Sequence, residues 1–107
     1  MPDRRPLSPA EVAAALPSLP DWRAEAGELH AAFVTAAVAD ALALIAAVGA
    51  VAEELDHHPD VDWRYRQVFV RSTTHSTGGR LTRLDLALAE RISAEAARVG
   101  ATAQPAQ

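Results

Sequence analysis

Cysteine is absent from this sequence, and its absence excludes several kinds of chemistry. A chain without thiols forms no disulfide, has no cysteine nucleophile and offers no cysteine ligand to zinc. Disulfide-free chains are typical of the cytosol, so we expect a cytoplasmic protein. Aromatic residues are also few, at 5%, while alanine supplies much of the hydrophobic content. We therefore expect helices that pack closely through small side chains.

An excess of basic residues and a long hydrophobic run are missing too. The formal net charge is -4, so the chain lacks the positive charge with which proteins neutralise nucleic-acid phosphates, and a nucleic-acid partner is not indicated. The longest apolar run, Ala41–Ala52, is mostly alanine and too short to cross a bilayer. The N-terminal segment has no apolar core of the kind found in signal peptides. At 107 residues the chain fits a single small domain, 1–107, with flexible ends at 1–6 and 101–107.

Capping signals predict a short helix near the N-terminus. Ser8 can cap it, Pro9 suits its first position, and Glu11 can close a capping box. Pro17 and Pro20 then stop it.

The strongest helix signal runs from Val38 to Asp56. An apolar arc as wide as the one found here is often covered on two sides. We therefore expect part of this helix, or the sheet edge, to pack against another subunit. Its predicted buried stripe is Val38, Leu42, Ile45, Gly49, Ala52 and Leu55, widened by Leu44, Val48 and Val51.

A last helix is predicted over Thr82–Val99. Thr82 can cap it, Asp85 lies in its first turn, where an acid is favoured, and Gly100 ends it. Its predicted stripe is Leu84, Leu88, Ile92, Ala96 and Val99.

The remaining apolar segments predict strands. Asp21–Ala26 and Leu29–Thr35 indicate a hairpin that turns at Gly27-Glu28. In Asp62–Thr74 the apolar positions change phase, which indicates either two short strands meeting near Arg66-Gln67 or one strand with a bulge.

Three of the four histidines lie between Glu53 and Asp85. His57 and His58 are adjacent, and His75 follows where a predicted strand ends. Histidine suits proton transfer near neutral pH. Nearby carboxylates and a helix C-terminus both stabilise the protonated ring. The acids around the first two histidines are Glu53, Glu54, Asp56, Asp60 and Asp62.

Three kinds of site compete for these histidines. Adjacent histidines on extended backbone point to opposite sides, so His57 and His58 do not easily share a metal ion. Nucleophilic catalysis is not indicated, because the sequence has no GxSxG turn and the serines beside His75 form no triad pattern. We favour general acid–base catalysis from a shared pocket, with no metal and no cofactor. His30 stands alone, with no acid close in sequence, and is interpreted as a solvated strand residue.

The spacing of the cluster is specific. Glu53, the triplet His57–Pro59, Tyr65, His75 and Asp85 follow in order, with five residues between the triplet and Tyr65 and nine between Tyr65 and His75. This pattern resembles the signature of the pterin-4a-carbinolamine dehydratase family, also called 4a-hydroxytetrahydrobiopterin dehydratase. The flanking TTHSTGG and LTRLDLALA segments also resemble the family, and the similarity covers nearly all of the chain from 8 to 99.

Two positions depart from the family pattern. Arg80 resembles a one-residue insertion that moves Asp85 one place further from His75, which puts the role of Asp85 in question. Many members carry a tryptophan where this chain has Val61, and Trp63 comes two places later. The second change affects the expected wall of the pterin pocket.

The resemblance implies an α+β fold. It implies two layers, with a four-stranded antiparallel sheet and helices on one face, in the order β-β-α-β-β-α after an N-terminal helix. It also implies a homodimer or homotetramer. The implied reaction is that of a lyase, which removes water from 4a-hydroxytetrahydropterin to give quinonoid dihydropterin during tetrahydrobiopterin recycling. The substrate would come from an aromatic amino-acid hydroxylase.

The resemblance also implies site roles. His57 and His75 would be general acids towards the departing hydroxyl, and His58 would bind substrate and accept the N5 proton. The implied supporting acids are Glu53, Asp56 and Asp85, and the implied substrate-binding residues are Pro59, Trp63, Tyr65 and Thr74. Animal relatives also act as dimerisation partners of a transcription factor. A non-catalytic binding module of the same fold is therefore the alternative function.

Overall fold

The structure, a computed structural model, describes residues 4–104. Helix α1 spans Pro9–Ala15, and the predicted capping box is present at its start. The Glu11 N–H donates to Ser8 Oγ at 3.1 Å, and the Ser8 N–H donates to Glu11 Oε1 at 2.9 Å. A 3₁₀ turn at Leu16–Ser18 ends this helical segment.

The first hairpin consists of β1, Arg23–Glu25, and β2, Glu28–Val34. Its turn is Ala26-Gly27, one residue earlier than predicted, and both residues have positive φ, 54° and 78°. Two consecutive positive φ angles are what a type I′ turn requires. That turn matches the twist of the flanking strands, which explains its position.

A second hairpin resolves the ambiguity left by the sequence. Strands β3, Asp60–Arg64, and β4, Gln67–Ser72, pair antiparallel, so this segment contains two strands and not one with a bulge. They are joined at Tyr65-Arg66, and β3 begins two residues earlier than predicted.

The four strands form one antiparallel sheet in the order β1-β2-β4-β3. Helices α2, Val38–Leu55, and α3, Arg83–Arg98, bury one face of it. Alternate β2 residues, from Leu29 to Phe33, enter that core, while the residues between them stay partly exposed. The predicted α+β architecture is confirmed. No helix among residues 4–104 has both the length and the apolar character needed to span a membrane.

The C-terminal segment is more ordered than predicted. Strand β5, Thr102–Ala103, pairs with the end of β2, and the Gln104 N–H donates to Ala32 O at 2.7 Å. The predicted flexibility of 101–107 is therefore wrong for residues 101–104. Residues 1–3 and 105–107, the outer parts of the two segments predicted to be flexible, lie outside the described residues.

The buried side of α2 differs from the predicted stripe. Leu42 is 46% exposed, Gly49 is exposed, and Ile45 is only partly buried. The apolar arc is wider than the surface that the sheet and α3 cover, so periodicity alone could not select the buried side. The residues that are buried are Ala41, Leu44, Val48, Val51 and Ala52.

Candidate active site

A buried carboxylate, Asp85, lies at the start of α3. It closes a capping box there: Thr82 Oγ1 accepts from the Leu84 N–H at 3.2 Å, and Asp85 Oδ2 accepts from the Thr82 N–H at 2.9 Å. The sequence predicted both the cap and the acid in the first turn. Its complete burial, at 0% exposure, was not predicted.

Four donors surround this carboxylate. Asp85 Oδ1 accepts from Ser72 Oγ at 2.5 Å and pairs with His57 Nε2 at 2.7 Å. Its Oδ2 accepts from Thr74 Oγ1 at 2.7 Å, in addition to the Thr82 N–H. Burial alone acts to raise the pKa of Asp85, but the hydrogen bonds from His57, Ser72, Thr74 and Thr82 outweigh it. The pKa therefore lies below its ordinary value, and the group is a buried anion.

The anion fixes which nitrogen of His57 carries a proton. A carboxylate only accepts, so Nε2 must donate to Asp85 in both the neutral and the charged ring. Within residues 4–104, every buried side-chain nitrogen and oxygen has a hydrogen-bond partner. His57 Nδ1 has no hydrogen-bond partner among these residues, so it cannot be one of the buried atoms. It therefore contacts solvent, although the residue as a whole is only 6% exposed. Nδ1 is the atom that can exchange a proton with a bound molecule.

The end of α2 holds His57 in this position. Asp56 adopts the left-handed conformation, with φ 51°. The Asp56 N–H donates to Glu53 O at 3.3 Å, and the His57 N–H donates to Ala52 O at 3.0 Å. These two bonds form a Schellman motif, which sets the direction of the chain after the helix. The helix end therefore directs His57 inward, towards Asp85.

His58 points the other way, as adjacent residues on extended backbone do. Its ring is 56% exposed, and its Nε2 lies 2.5 Å from Glu53 Oε2, which is 79% exposed. Among residues 4–104, no group of three potential metal-ligating side chains lies close enough to hold a metal ion.

His75 follows β4 in a short 3₁₀ turn, His75–Thr77, and is exposed. Arg80, which the sequence comparison with the family pattern interprets as an insertion, lies at the end of this loop. Its carbonyl accepts from the Thr74 N–H at 3.3 Å, so the loop closes before α3 begins. With Arg80 in the loop, Asp85 Oδ1 still lies 2.7 Å from His57 Nε2.

The other predicted site residues are dispersed. Asp56 contacts Arg4, at 4.0 Å, and no contact with a histidine is seen among the described residues. Tyr65 is 72% exposed in the β3–β4 turn. Since β3 has five residues, this turn lies roughly 16 Å along the strand from His58-Pro59. Trp63 lies near that turn and donates from Nε1 to Tyr65 O at 2.7 Å.

Thr74 and Pro59 stay close to the histidines in the chain, but Thr74 is buried beneath the carboxylate and does not face solvent. Ser72 was missed, although alternation along β4 offered a signal. It is the polar residue on the face that carries Val68 and Val70. A polar side chain on a buried strand face needs a partner, and that partner is Asp85.

His30 lies outside this cluster, as predicted, but it is not alone. Glu28, two residues earlier, places Oε1 3.3 Å from its Nε2. Residues two apart on a strand share a face, which explains the pair. His30 is therefore a paired histidine on the less buried side of β2, whereas its neighbour Leu29, which pairs with Ser72, faces the core.

Comparison with known proteins identifies the family. The family model for pterin 4 alpha carbinolamine dehydratase matches residues 5–95. The chain belongs to the pterin-4-alpha-carbinolamine dehydratase family. A Streptomyces coelicolor relative named "Putative pterin-4-alpha-carbinolamine dehydratase" is 42% identical over 96 residues, which is 90% of this chain and 95% of the relative. A relative of the same name from Chloroflexus aurantiacus is 44% identical over 86 residues, or 80% and 91% of the two chains.

Solved structures agree with the family's fold. The crystal structure of a transcriptional coactivator/pterin dehydratase from Brucella melitensis matches with a TM-score of 0.81 at 30% identity, over 86% of this chain and 99% of that one. A pterin dehydratase-like protein described as a RuBisCO assembly factor matches with a TM-score of 0.58 at 21% identity, over 70% and 86% of the two chains. At that identity the second likeness concerns the fold alone.

Proposed function

We propose that this chain dehydrates 4a-hydroxytetrahydropterin to quinonoid dihydropterin by histidine general acid–base catalysis. In this reaction the C4a–O bond breaks, and the hydroxyl leaves as water after receiving a proton. N5 loses its proton as the C4a–N5 double bond forms. One acid and one base are therefore sufficient, and no net proton is consumed. An aromatic amino-acid hydroxylase would supply the substrate.

The observation that carries this proposal is the pair between His57 and Asp85. A buried anion lies 2.7 Å from Nε2 and accepts the hydrogen bond from that nitrogen. It also leaves Nδ1 as the donor that can reach a departing hydroxyl. His57 therefore suits the role of a general acid.

The remaining roles are assigned to the exposed histidines. His75 is the second acid, acting towards the opposite face of the pterin ring. His58 binds the substrate and accepts the N5 proton, which suits a ring that is open to solvent and already paired with the acid Glu53. Pro59 restricts the backbone of His58 and so limits where its ring can point.

The active form is proposed to be a homodimer or homotetramer. The large hydrophobic side chains Leu42, Val61 and Trp63 are 46%, 38% and 52% exposed. Val61 and Trp63 lie on β3, which is an edge of the sheet in the described chain. Apolar side chains beside an unpaired strand edge favour association.

A non-catalytic binding module is the second candidate, and exposed Leu42 on α2 is the observation that favours it. The His57–Asp85 pair argues for the enzyme. A module that binds through α2 has no need of a histidine whose proton is directed by a buried anion.

A direct assay tests the proposal. A hydroxylase generates 4a-hydroxytetrahydropterin in situ, and its decay is followed with wild type and with the variants H57A, H58A and H75A. Each is expected to lower turnover by about 10²–10⁴-fold, the usual contribution of a general acid or base. H30A is the matched control, because His30 is also paired with an acid but lies on the less buried side of β2 and is not a partner of Asp85. Full activity in H58A, or no acceleration by folded wild type, would move the assignment to the binding module.

A further inference from the structure

The loop that carries His75 rests on the β1–β2 turn at one glycine. Thr73 Oγ1, at the start of the loop, donates to Gly27 O at 2.7 Å. At the other end of the loop, Gly79 O lies so close that a Cβ added to Gly27 would be only 2.2 Å from it. No real Cβ tolerates that separation, so any side chain here would displace the loop.

The loop is cross-linked by its own hydrogen bonds. The Thr74 N–H donates to Arg80 O at 3.3 Å, and the Gly79 N–H donates to Thr74 O at the same distance. Thr77 Oγ1 donates to Thr74 O at 2.7 Å. A loop tied in this way moves as a unit, so a displacement at Gly79 is passed to His75. Among the described residues, no hydrogen bond or ion pair holds the His75 ring, and its position depends on the backbone.

We propose that Gly27 is a positioning residue for His75. Its missing side chain allows the turn and the loop to meet backbone to backbone, and this contact sets where the imidazole enters the site. The inference rests on the proposed function for the role of His75. It extends that function by assigning the control of this histidine to a turn in a different hairpin.

The turn's own conformation is the simpler explanation for Gly27, which has φ +78°. The preceding residue argues against it, because Ala26 also has positive φ, 54°, and carries a Cβ. The turn therefore accepts a side chain in the left-handed region. The feature that distinguishes Gly27 is its contact with Gly79.

The chain offers a matched control in Gly100. It has φ +76°, and a Cβ added there meets nothing within 4 Å. G27A and G100A therefore both place a side chain at nearly the same positive φ, but only G27A collides with the loop. T73V removes the hydrogen bond to Gly27 while keeping the side-chain shape. The imidazole signals of His75 are recorded by NMR in all three variants, and turnover and KM are measured alongside thermal midpoints.

G27A is expected to shift the His75 signals and lower turnover roughly 10–100-fold, as a misplaced catalytic group does. T73V is expected to shift the same signals with a smaller loss. G100A should keep its His75 signals and wild-type turnover, with a thermal midpoint lowered less than in G27A, because G27A adds the collision with Gly79 to the positive φ. Unchanged His75 signals in G27A and T73V, with turnover equal to G100A, would overturn the proposal. If G27A fails to fold, T73V decides by the same two readouts. His75 signals that move in a protein without dehydratase activity would defeat the proposed function but support the positioning role.

Discussion

At the residue scale, one carboxylate determines the protonation of one histidine. Asp85 is fully buried yet charged because four donors surround it. An anion in that position can only accept, so His57 must present Nδ1 outward. The family signature places these two residues in order, but only the fold brings them within 2.7 Å.

Replacing Asp85 by asparagine should disrupt this arrangement, because the buried side chain is then neutral. The amide offers one accepting oxygen in place of two, so either His57 or Thr82 faces an N–H group instead of an acceptor. We expect D85N to lose about 1–3 kcal/mol of unfolding free energy. Turnover should fall by about 10²–10⁴-fold, because a neutral amide removes the buried anion that pairs with His57 in its role as general acid. Urea unfolding, kinetics and the His57 ring signals measure these effects. D60N is the control, since Asp60 is exposed, and wild-type turnover in D85N would refute the role.

The same carboxylate should make stability depend on acid pH. The pKa of Asp85 is lower in the folded than in the unfolded chain, so the unfolded chain takes up the proton first. The contribution of Asp85 to the unfolding free energy is complete above the ordinary carboxyl pKa, about pH 4. It is lost as the pH falls towards the pKa of Asp85 in the folded chain. We expect the unfolding free energy to fall below about pH 4 in wild type and less steeply in D85N. The pKa values of Glu11 and Glu54 are also lowered, by hydrogen bonds from Ser8 and from Arg91 respectively. Parallel slopes for the two proteins would show that Asp85 is not the source.

At the element scale, local signals predicted the helix starts because each capping box lies within four residues. The predicted capping box at Ser8 and the predicted cap at Thr82 are both present, and Asp85 completes a second capping box at Thr82. The acids at the end of α2 could not be interpreted in the same way, since their partners are distant or depend on the turn. Glu54 pairs with Arg91 of α3 at 2.7 Å, and Glu53 pairs with His58. The unfavourable placement of acids at a helix C-terminus is offset by these partners.

Asp56 is the one acid of that helix end whose backbone is strained. Its φ of 51° suits glycine better than a residue with a Cβ. We expect D56G to raise the unfolding free energy by about 1 kcal/mol. Glycine relieves the strain at this φ, and the substitution removes a negative charge from the helix C-terminus. Its turnover should stay near wild type, because Asp56 contacts Arg4 and the candidate site is organised by Asp85. Urea unfolding and the dehydratase assay measure both effects. A large loss of turnover would instead place Asp56 among the groups that orient a histidine.

At the scale of the whole molecule, the sequence predicted the architecture but not every buried surface. The α+β sheet was implied by the family resemblance, which rests on the motif spacing, and the strand-like segments agreed with it. The exposure of Leu42 and the pairing of β5 depend on which distant surfaces meet, and a periodic pattern carries no information about that. Leu42, Val61 and Trp63 are exposed because nothing within the described chain covers them.

These exposed side chains make the oligomeric state a testable property. Leu42 lies on α2 and Trp63 on β3, so the two report on different surfaces. We expect light scattering to give a mass of two or four times 11.3 kDa for wild type. L42E or W63E should lower that mass, because a carboxylate buried in an apolar interface is strongly unfavourable. A97E, at an exposed position of α3, is the control and should keep the wild-type mass. A wild type that stays monomeric at high concentration would contradict the assembly. If neither L42E nor W63E changes the mass of an oligomer, its interface must lie elsewhere, and the exposed side chains would then favour a different partner over a second copy.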